Sequence, residues 1–189
     1  MKFSLILADP PWSFRDRCNA GKRGVVHKYP VLTIEQLKAL PVADVADDDC
    51  LLAMWWVPTQ PMEALALVEA WGFKFMTMKG FTWHKRTKNF KSHIGMGTLT
   101  RANTEDCLFA KRGRPKRIDA AVRQFMDELK GEHSRKPRET RWRLERLLGD
   151  VPRLELFARE RVPGWTSLGL DIDGVPMDQA LKELAGREA

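Results

Sequence analysis

The sequence predicts an α/β fold: an open, mostly parallel twisted sheet with helices on both faces, in a single domain over residues 1–189. Three observations carry this. Strand-like and helix-like segments alternate through most of the chain, as they do when helical crossovers join parallel strands. The first strand segments run apolar instead of alternating cleanly, the pattern of strands buried on both faces. No repeat, low-complexity tract or linker-like change of composition interrupts 189 residues, a length that suits one core.

Residues 2–8 alternate and then run apolar through Leu5, Ile6 and Leu7, and Pro10 and Pro11 stop the strand because proline cannot donate to a ladder. Thr33 ahead of Glu35 and Gln36, with Ile34, Leu37 and Leu40 at helical spacing, predicts a capped helix ended by Pro41. An acidic turn is expected at residues 47–49, followed by a buried strand over 50–57. Met62, Leu65, Ala66 and Val68 give residues 59–71 the period of an amphipathic helix, which Gly72 caps. A third strand is expected over 73–83. Residues 85–101 (KRTKNFKSHIGMGTLTR) show no period and predict a long loop, the kind of segment that carries function in compact domains.

Residues 104–110 read as a strand broken by the KRGRPKR run at 111–117. Residues 120–129 suit either a helix, through Val122, Phe125 and Met126, or a short strand. A helix is expected over 137–148, with Gly149 after it, and the last two strands over 153–157 and 165–170. A short amphipathic helix at 177–184 completes the set. Ligands bind beyond the C-terminal ends of strands in such sheets, and residues 9–12 lie at such an end.

Lys and Arg total 32 against 25 Asp and Glu, a net charge of +7 that suits a polyanionic partner. The N-terminal stretch has neither the cleavage region of a signal peptide nor the length of a membrane span, so a soluble, cytoplasmic protein away from membranes is expected. Cys18, Cys50 and Cys107 form no C-x-x-C pair and are read as reduced thiols. The four histidines are scattered, and no metal site is expected.

The chemistry concentrates in Asp9, Pro10, Pro11 and Trp12. An exocyclic amino group on a nucleobase is a poor nucleophile because its lone pair is delocalised into the ring. A carboxylate and a backbone carbonyl, each accepting one of its hydrogen bonds, would localise that lone pair and aim it at a methyl donor. Asp9 and the Pro10 carbonyl can supply both. Consecutive prolines fix φ and remove N–H donors, so the segment presents acceptors. Trp12 adds a flat face on which an extruded base could stack. A strand-ending turn with an apolar anchor is the plainer reading of the same four residues.

With five further segments, the sequence resembles the Asp-Pro-Pro-Trp family of adenine-N6 methyltransferases, named after the S-adenosylmethionine-binding subunit of the eukaryotic mRNA adenosine methyltransferase. It looks most like the short bacterial and phage members. The segments are LILADPPW (5–12), LLAMWW (51–56), WGFKF (71–75), GMGTLTRANTEDCLFAKRG (95–113), EHSRKPRE (132–139) and LELFARERVPGWTSLG (154–169), with the catalytic motif first and the cofactor strand last. The resemblance implies a Rossmann-like methyltransferase fold, S-adenosyl-L-methionine as methyl donor and adenine N6 in nucleic acid as acceptor, DNA being favoured over RNA.

The resemblance further implies catalytic roles for Asp9, Pro10, Pro11 and Trp12, with Asp9 also near the methionine part of the cofactor. Lys136 would bind the cofactor carboxylate; Glu155, Phe157 and Arg159 would line its pocket, with Arg159 close to the ribose, and Arg161 lies near another cofactor position. Tyr29 resembles a substrate-side aromatic, and Glu105 matches a glutamate beside a gate loop. The sequence departs from the family at Leu170, where asparagine is usual, leaving Asp171 to hold the ribose, and at Arg138, where an acidic residue is common.

Lys85, Arg86, Lys88 and Lys91, with Trp83 and Phe90 among them and Arg101 at the loop's far end, compose a basic, aromatic segment suited to a nucleic-acid backbone. A solvated charged loop is the bland alternative. The KRGRPKR run resembles a minor-groove hook, although a basic turn explains it more simply. Three competing readings stay open: an inactive partner subunit, a cytosine-N4 methyltransferase, and a nucleic-acid-binding module of another class. Cytosine C5 chemistry is disfavoured because no cysteine sits in a Pro-Cys loop.

Overall fold

The computed structural model describes residues 2–12, 32–97, 99–131 and 135–186. Its sheet has seven strands: β1 (Phe3–Ala8), β2 (Ala46–Trp56), β3 (Lys74–Arg86), β4 (Thr104–Arg112), β5 (Phe125–Leu129), β6 (Arg153–Leu156) and β7 (Thr166–Leu168), in the order β5-β3-β4-β2-β1-β6-β7. Parallel pairing joins β1 to β2 and β6, β6 to β7, and β3 to β5, while β4 runs antiparallel to β2 and β3. The expected mostly parallel α/β fold is therefore present, with β4 reversed inside it. Five helices accompany the described strands: α1 (Ile34–Lys38), α2 (Pro61–Ala70), α3 (Glu139–Leu148), α4 (Leu170–Asp173) and α5 (Met177–Gly186).

Alternation along β1 and β2 divides the core in two. Ile6, Ala8, Leu52 and Met54 pack on one face with Leu37 of α1, Leu67 of α2 and Leu181 of α5. Leu5, Leu7, Leu51, Ala53 and Trp55 pack on the other with Leu144 and Leu148 of α3. The expected capping box closes α1, with the Gln36 N–H donating to Thr33 Oγ1 at 3.2 Å and the Thr33 N–H donating to Gln36 Oε1 at 2.8 Å. Gly72 after α2 takes φ 80°, the left-handed conformation that suits a helix C-terminus.

Two expectations are corrected, and one left open is decided. The acidic residues 47–49 lie inside β2, because Phe3 pairs with Ala46 and Ser4 Oγ donates to Asp47 at 3.0 Å. Across from them β4 continues into Lys111 and Arg112, where Arg112 donates to the Ala43 carbonyl at 2.9 Å and the Arg114 N–H donates to Asp49 at 2.6 Å. The start of the KRGRPKR run is thus tied to the end of the sheet opposite residues 9–12. Of the two readings of residues 120–129, the strand is formed, since β5 finds the open edge of β3 from Thr82 to Arg86. Among the described residues, no helix is long and apolar enough to cross a membrane, and no group of three or more His, Cys, Asp or Glu is placed to hold a metal ion.

The loops after β6 and β7 meet closely. Ala158 N donates to the Leu168 carbonyl at 2.9 Å, and a Cβ on Gly169 would collide with the Ala158 backbone. Gly169→Ala is therefore expected to cost about 1–3 kcal/mol by pushing these loops apart. A melting temperature equal to the native one would contradict the close approach.

Candidate active site

β1 ends at Ala8 and delivers Asp9 to the C-terminal edge of the sheet, where the Asp9 N–H donates to the Leu156 carbonyl of β6 at 3.4 Å. The chain then turns at the prolines, and the Trp12 N–H donates to the Pro10 carbonyl at 2.8 Å. A carbonyl oxygen has two lone pairs, and among the described residues the Trp12 N–H takes one of them. The Trp12 ring is 6% exposed, and its Nε1–H donates to the Trp55 carbonyl at 3.0 Å. It anchors the turn in the core and does not offer the open stacking face expected of it.

Lys136 comes from the segment before α3. Its Nζ lies 2.8 and 2.9 Å from the two Asp9 carboxylate oxygens and 3.4 Å from Glu105 on β4. Lys85 grips Glu105 from the other side. Burial works against charge on Lys136, but Asp9 and Glu105 outweigh it and raise its pKa above the ordinary value. Burial likewise opposes ionisation of Glu105, and Lys136 and Lys85 reverse that, holding its pKa below the ordinary value. Lys136 also sits 5.7 Å from the Trp55 ring centroid, within cation–π range.

Beside this chain of charges opens a cleft at the C-terminal edge of the sheet. Asp9, Lys136, Glu155, Phe157 and Arg159 all line it, so five of the expected cofactor residues are brought together. Phe157 adopts φ 60°, unusual for a side chain of this size, just where β6 ends. Arg161 is exposed and paired with Asp173, and Asp171 is exposed at the start of α4; neither lines the cleft. Tyr29 lies outside the described residues.

Several participants were not singled out from sequence. Arg141, on the first turns of α3, makes a two-pronged contact with Glu155 at 2.8 Å for each prong and reaches Glu160 at 3.3 Å. Arg135 holds the other side of Glu160 at 3.0 Å. The available signal was the closeness of Arg141 to Lys136 in the sequence, Lys136 just before the helix and Arg141 in its first turn. Burial raises the Glu155 pKa above the ordinary carboxyl value, with Arg141 opposing. Arg141→Leu is expected to destabilise the protein by roughly 3 kcal/mol, because it leaves a buried carboxylate without its partner. It also raises the Glu155 pKa further. A carboxyl with a raised folded-state pKa loses stability as pH climbs through that value, so the variant's deficit should grow between about pH 5 and pH 8. Urea denaturation showing the same deficit at both pH values would refute this.

The substrate-side expectations divide. Lys85 is held by Glu105, and Arg86 is clamped on Asp127 at 2.6 and 2.8 Å, so neither stands ready for a phosphate. Lys88 and Arg101 are exposed. Cys50 and Cys107 are free and buried; burial pushes the Cys50 thiol up to about 12, and burial with the nearby Asp9 charge raises Cys107 well above its ordinary value. These two thiols stay protonated, so neither is a thiolate nucleophile, and Cys18 lies outside the described residues.

The cleft carries carboxylates (Asp9, Glu155, Glu160), cations (Lys136, Arg135, Arg159) and the Phe157 ring, while the buried Trp55 Nε1–H lacks a hydrogen-bond partner among the described residues. That donor set fits a ligand that joins an amino acid of both charges to an aromatic base, as S-adenosylmethionine does. A mostly parallel sheet with such a cleft at the end of its central strand has its ligand site where proteins of the Rossmann-like class carry theirs. The chain belongs to the MT-A70 family, whose profile matches residues 3–171.

Among its relatives, the type II methyltransferase M.MunI of Mycoplasma sp is 31% identical over 90% of this chain and 78% of its own length. An Arabidopsis thaliana protein named as an N(6)-adenosine-methyltransferase MT-A70-like is 30% identical over 92% of this chain and 24% of its own. The human N(6)-adenosine-methyltransferase catalytic subunit METTL3 is 26% identical over 92% of this chain and 29% of its own. The chain therefore spans only about a quarter of these two eukaryotic relatives.

Proposed function

We propose that this chain, acting as one domain, transfers a methyl group from S-adenosylmethionine to the N6 amino group of adenine in nucleic acid, with DNA the favoured polymer. The observation that carries the reading is the Asp9 carboxylate at the rim of the cleft, fixed by Lys136 and adjacent in the chain to the Pro10 carbonyl. An adenine amino group placed there donates one hydrogen bond to each acceptor, which makes its nitrogen more pyramidal and directs the lone pair into the cleft. S-adenosylmethionine, when bound, supplies an electrophilic methyl group on a sulfonium. Its transfer to N6 would release the sulfur as a neutral thioether, and Asp9 would pass the displaced N6 proton to solvent. Asp9 and the Pro10 carbonyl provide orientation and charge stabilisation without a covalent enzyme intermediate.

Lys136, held between Asp9 and Glu105, would meet the carboxylate of the methionine part as a point charge. Glu155 and Arg159, which line the same cleft, would face the nucleoside part. DNA is favoured because M.MunI, a type II methyltransferase, shares 78% of its length with this chain, whereas the Arabidopsis and human adenosine enzymes share about a quarter of theirs. Transfer from isotopically labelled S-adenosylmethionine onto duplex DNA, single-stranded DNA and RNA, read by nucleoside mass spectrometry, tests this. N6-methyladenine in DNA is the expected result. Methylation of RNA alone would move the substrate to RNA, and cofactor binding without transfer would favour the inactive partner subunit.

A further inference from the structure

β3 does not simply dissolve into a loop at Arg86. The Thr87 N–H donates to the Lys91 carbonyl and the Phe90 N–H to the Thr87 carbonyl, each at 2.8 Å, closing a tight turn over residues 87–91. Its base is fixed from several sides. Arg86 bridges to Ser92 and donates to the Phe90 carbonyl at 3.3 Å; Ser92 Oγ lies 2.8 Å from His84 Nε2 and accepts from Asn103 at 3.1 Å; and His84 Nδ1 lies 3.1 Å from Asp127. On this braced turn Phe90 is held at φ 55° and is 72% exposed. A large apolar side chain in a left-handed conformation, displayed to solvent, opposes both backbone preference and the hydrophobic effect.

Cations outnumber carboxylates around it. Lys85 and Arg86 are held by carboxylates, but Lys88, Lys91 and Lys130 are exposed, with Lys130 placed beside the turn by its N–H bond to the Arg86 carbonyl at 2.8 Å. His93 reports the local potential: burial first, then Lys130 and Lys85, hold its pKa below the ordinary value. β3 lies three strands from β1 in the sheet, a lateral offset of roughly 14 Å at about 4.8 Å per strand. The turn projects from the same C-terminal edge as Asp9, and the ladder register sets Arg86 five residues beyond the level of Asp9, roughly 16 Å along the strand at about 3.3 Å per residue, so the turn stands more than about 20 Å from Asp9, several nucleotides from the target.

We propose that residues 87–91 form a second contact with the nucleic-acid substrate, in which the Phe90 ring stacks on a base several nucleotides from the target adenine while Lys88 and Lys91 meet flanking phosphates. This rests on the function proposed above. It moves the contact from Lys85 and Arg86 to the tip that their ion pairs hold in place. Stacking accepts any base and so contributes affinity without demanding a particular flanking sequence.

The test measures binding of a fluorescein-labelled single-stranded oligonucleotide with one adenine, together with melting temperature, for Phe90→Ala, Phe90→Trp, Phe90→Gly and the double variant Lys88→Gln/Lys91→Gln. Phe90→Ala should weaken binding about tenfold and Phe90→Trp should preserve it. Phe90→Gly should weaken binding equally while melting at or above the native temperature, since glycine relaxes the left-handed backbone; a merely structural Phe90 would melt lower. The lysine variant should reduce the slope of log affinity against log salt by about one to two. Replacing bases one at a time with 2-aminopurine should reveal a quenched position distinct from the target in the native complex and absent with Phe90→Ala. Native affinity in Phe90→Ala and Phe90→Gly, with the wild type binding and methylating normally, would overturn this contact alone. A wild type that neither binds nor methylates nucleic acid would overturn the function beneath it.

Discussion

Replacing Asp9 with alanine is expected to lower methyl transfer by at least about 10³-fold while leaving a folded chain. Loss of one preorganised polar group from a reacting centre costs about 10²–10³-fold, and Asp9 also orients the amino group and opposes the Lys136 charge. The fold should survive because Asp9 follows the last residue of β1 and its side chain belongs to the cleft rim instead of either core cluster. Lys136 keeps Glu105 as a counter-charge, so no buried cation is stranded. Asp9→Asn separates shape from charge: it retains an acceptor oxygen and the side-chain volume, and it should still lose about 10²-fold. Isotope transfer with a parallel thermal melt checks both variants. Turnover within tenfold of wild type in Asp9→Ala would remove Asp9 from the chemistry.

The parts of the fold visible in the sequence are those whose cause is local. Thr33 and Gln36 announce a helix start because both partners of the capping box lie within one turn. Leu5, Ile6 and Leu7 announce a central strand because burial on both faces needs no knowledge of the neighbours. Residues 47–49 misled because three aspartates in succession resemble a turn, and only the opposing basic end of β4 explains why they run extended. Residues 125–129 stayed ambiguous for the same reason, since the edge of β3 decides them.

The site divides along this line too. Asp9, Lys136 and Glu155 could be named because they stand in recognisable motifs, but nothing in the spacing from residue 9 to residue 136 foretells that Lys136 bonds Asp9. Arg141 went unremarked because its partner Glu155 sits on a strand that only the assembled sheet brings beneath α3. Trp12 looked like a stacking platform because tryptophan serves both surfaces and cores; the carbonyl of Trp55 at the adjoining strand end draws its N–H inward. Lys85 and Arg86 were read as phosphate contacts from charge alone, whereas Glu105 and Asp127 arrive from other strands to hold them.

Lys136→Met should be the most damaging single change to the cleft as a whole. The variant retains length and apolar stem but leaves Asp9 and Glu105 facing each other across the vacated ammonium, a cost of roughly 3 kcal/mol for breaking a largely buried pair. Its pH dependence follows from the direction of each shift. Glu105 has a folded-state pKa below the ordinary 4.5, so its contribution to stability is present above that value and is lost as pH falls through the folded-state value. Lys136 has a pKa above the ordinary 10.5, so its contribution is present below that value and is lost as pH rises through the folded-state value. The deficit of Lys136→Met should therefore be widest from about pH 6 to pH 9 and narrow toward either extreme as the native protein loses the interaction. Loss of the cation should also weaken S-adenosylmethionine binding by about 10–100-fold, since a charge-assisted hydrogen bond contributes roughly 1.5–3 kcal/mol. Urea denaturation across pH and titration calorimetry with the cofactor measure the two effects separately. A deficit independent of pH would break the charge chain from Asp9 through Lys136 to Glu105, and native cofactor affinity would release Lys136 from the role of carboxylate ligand while leaving its pairing with Asp9 intact.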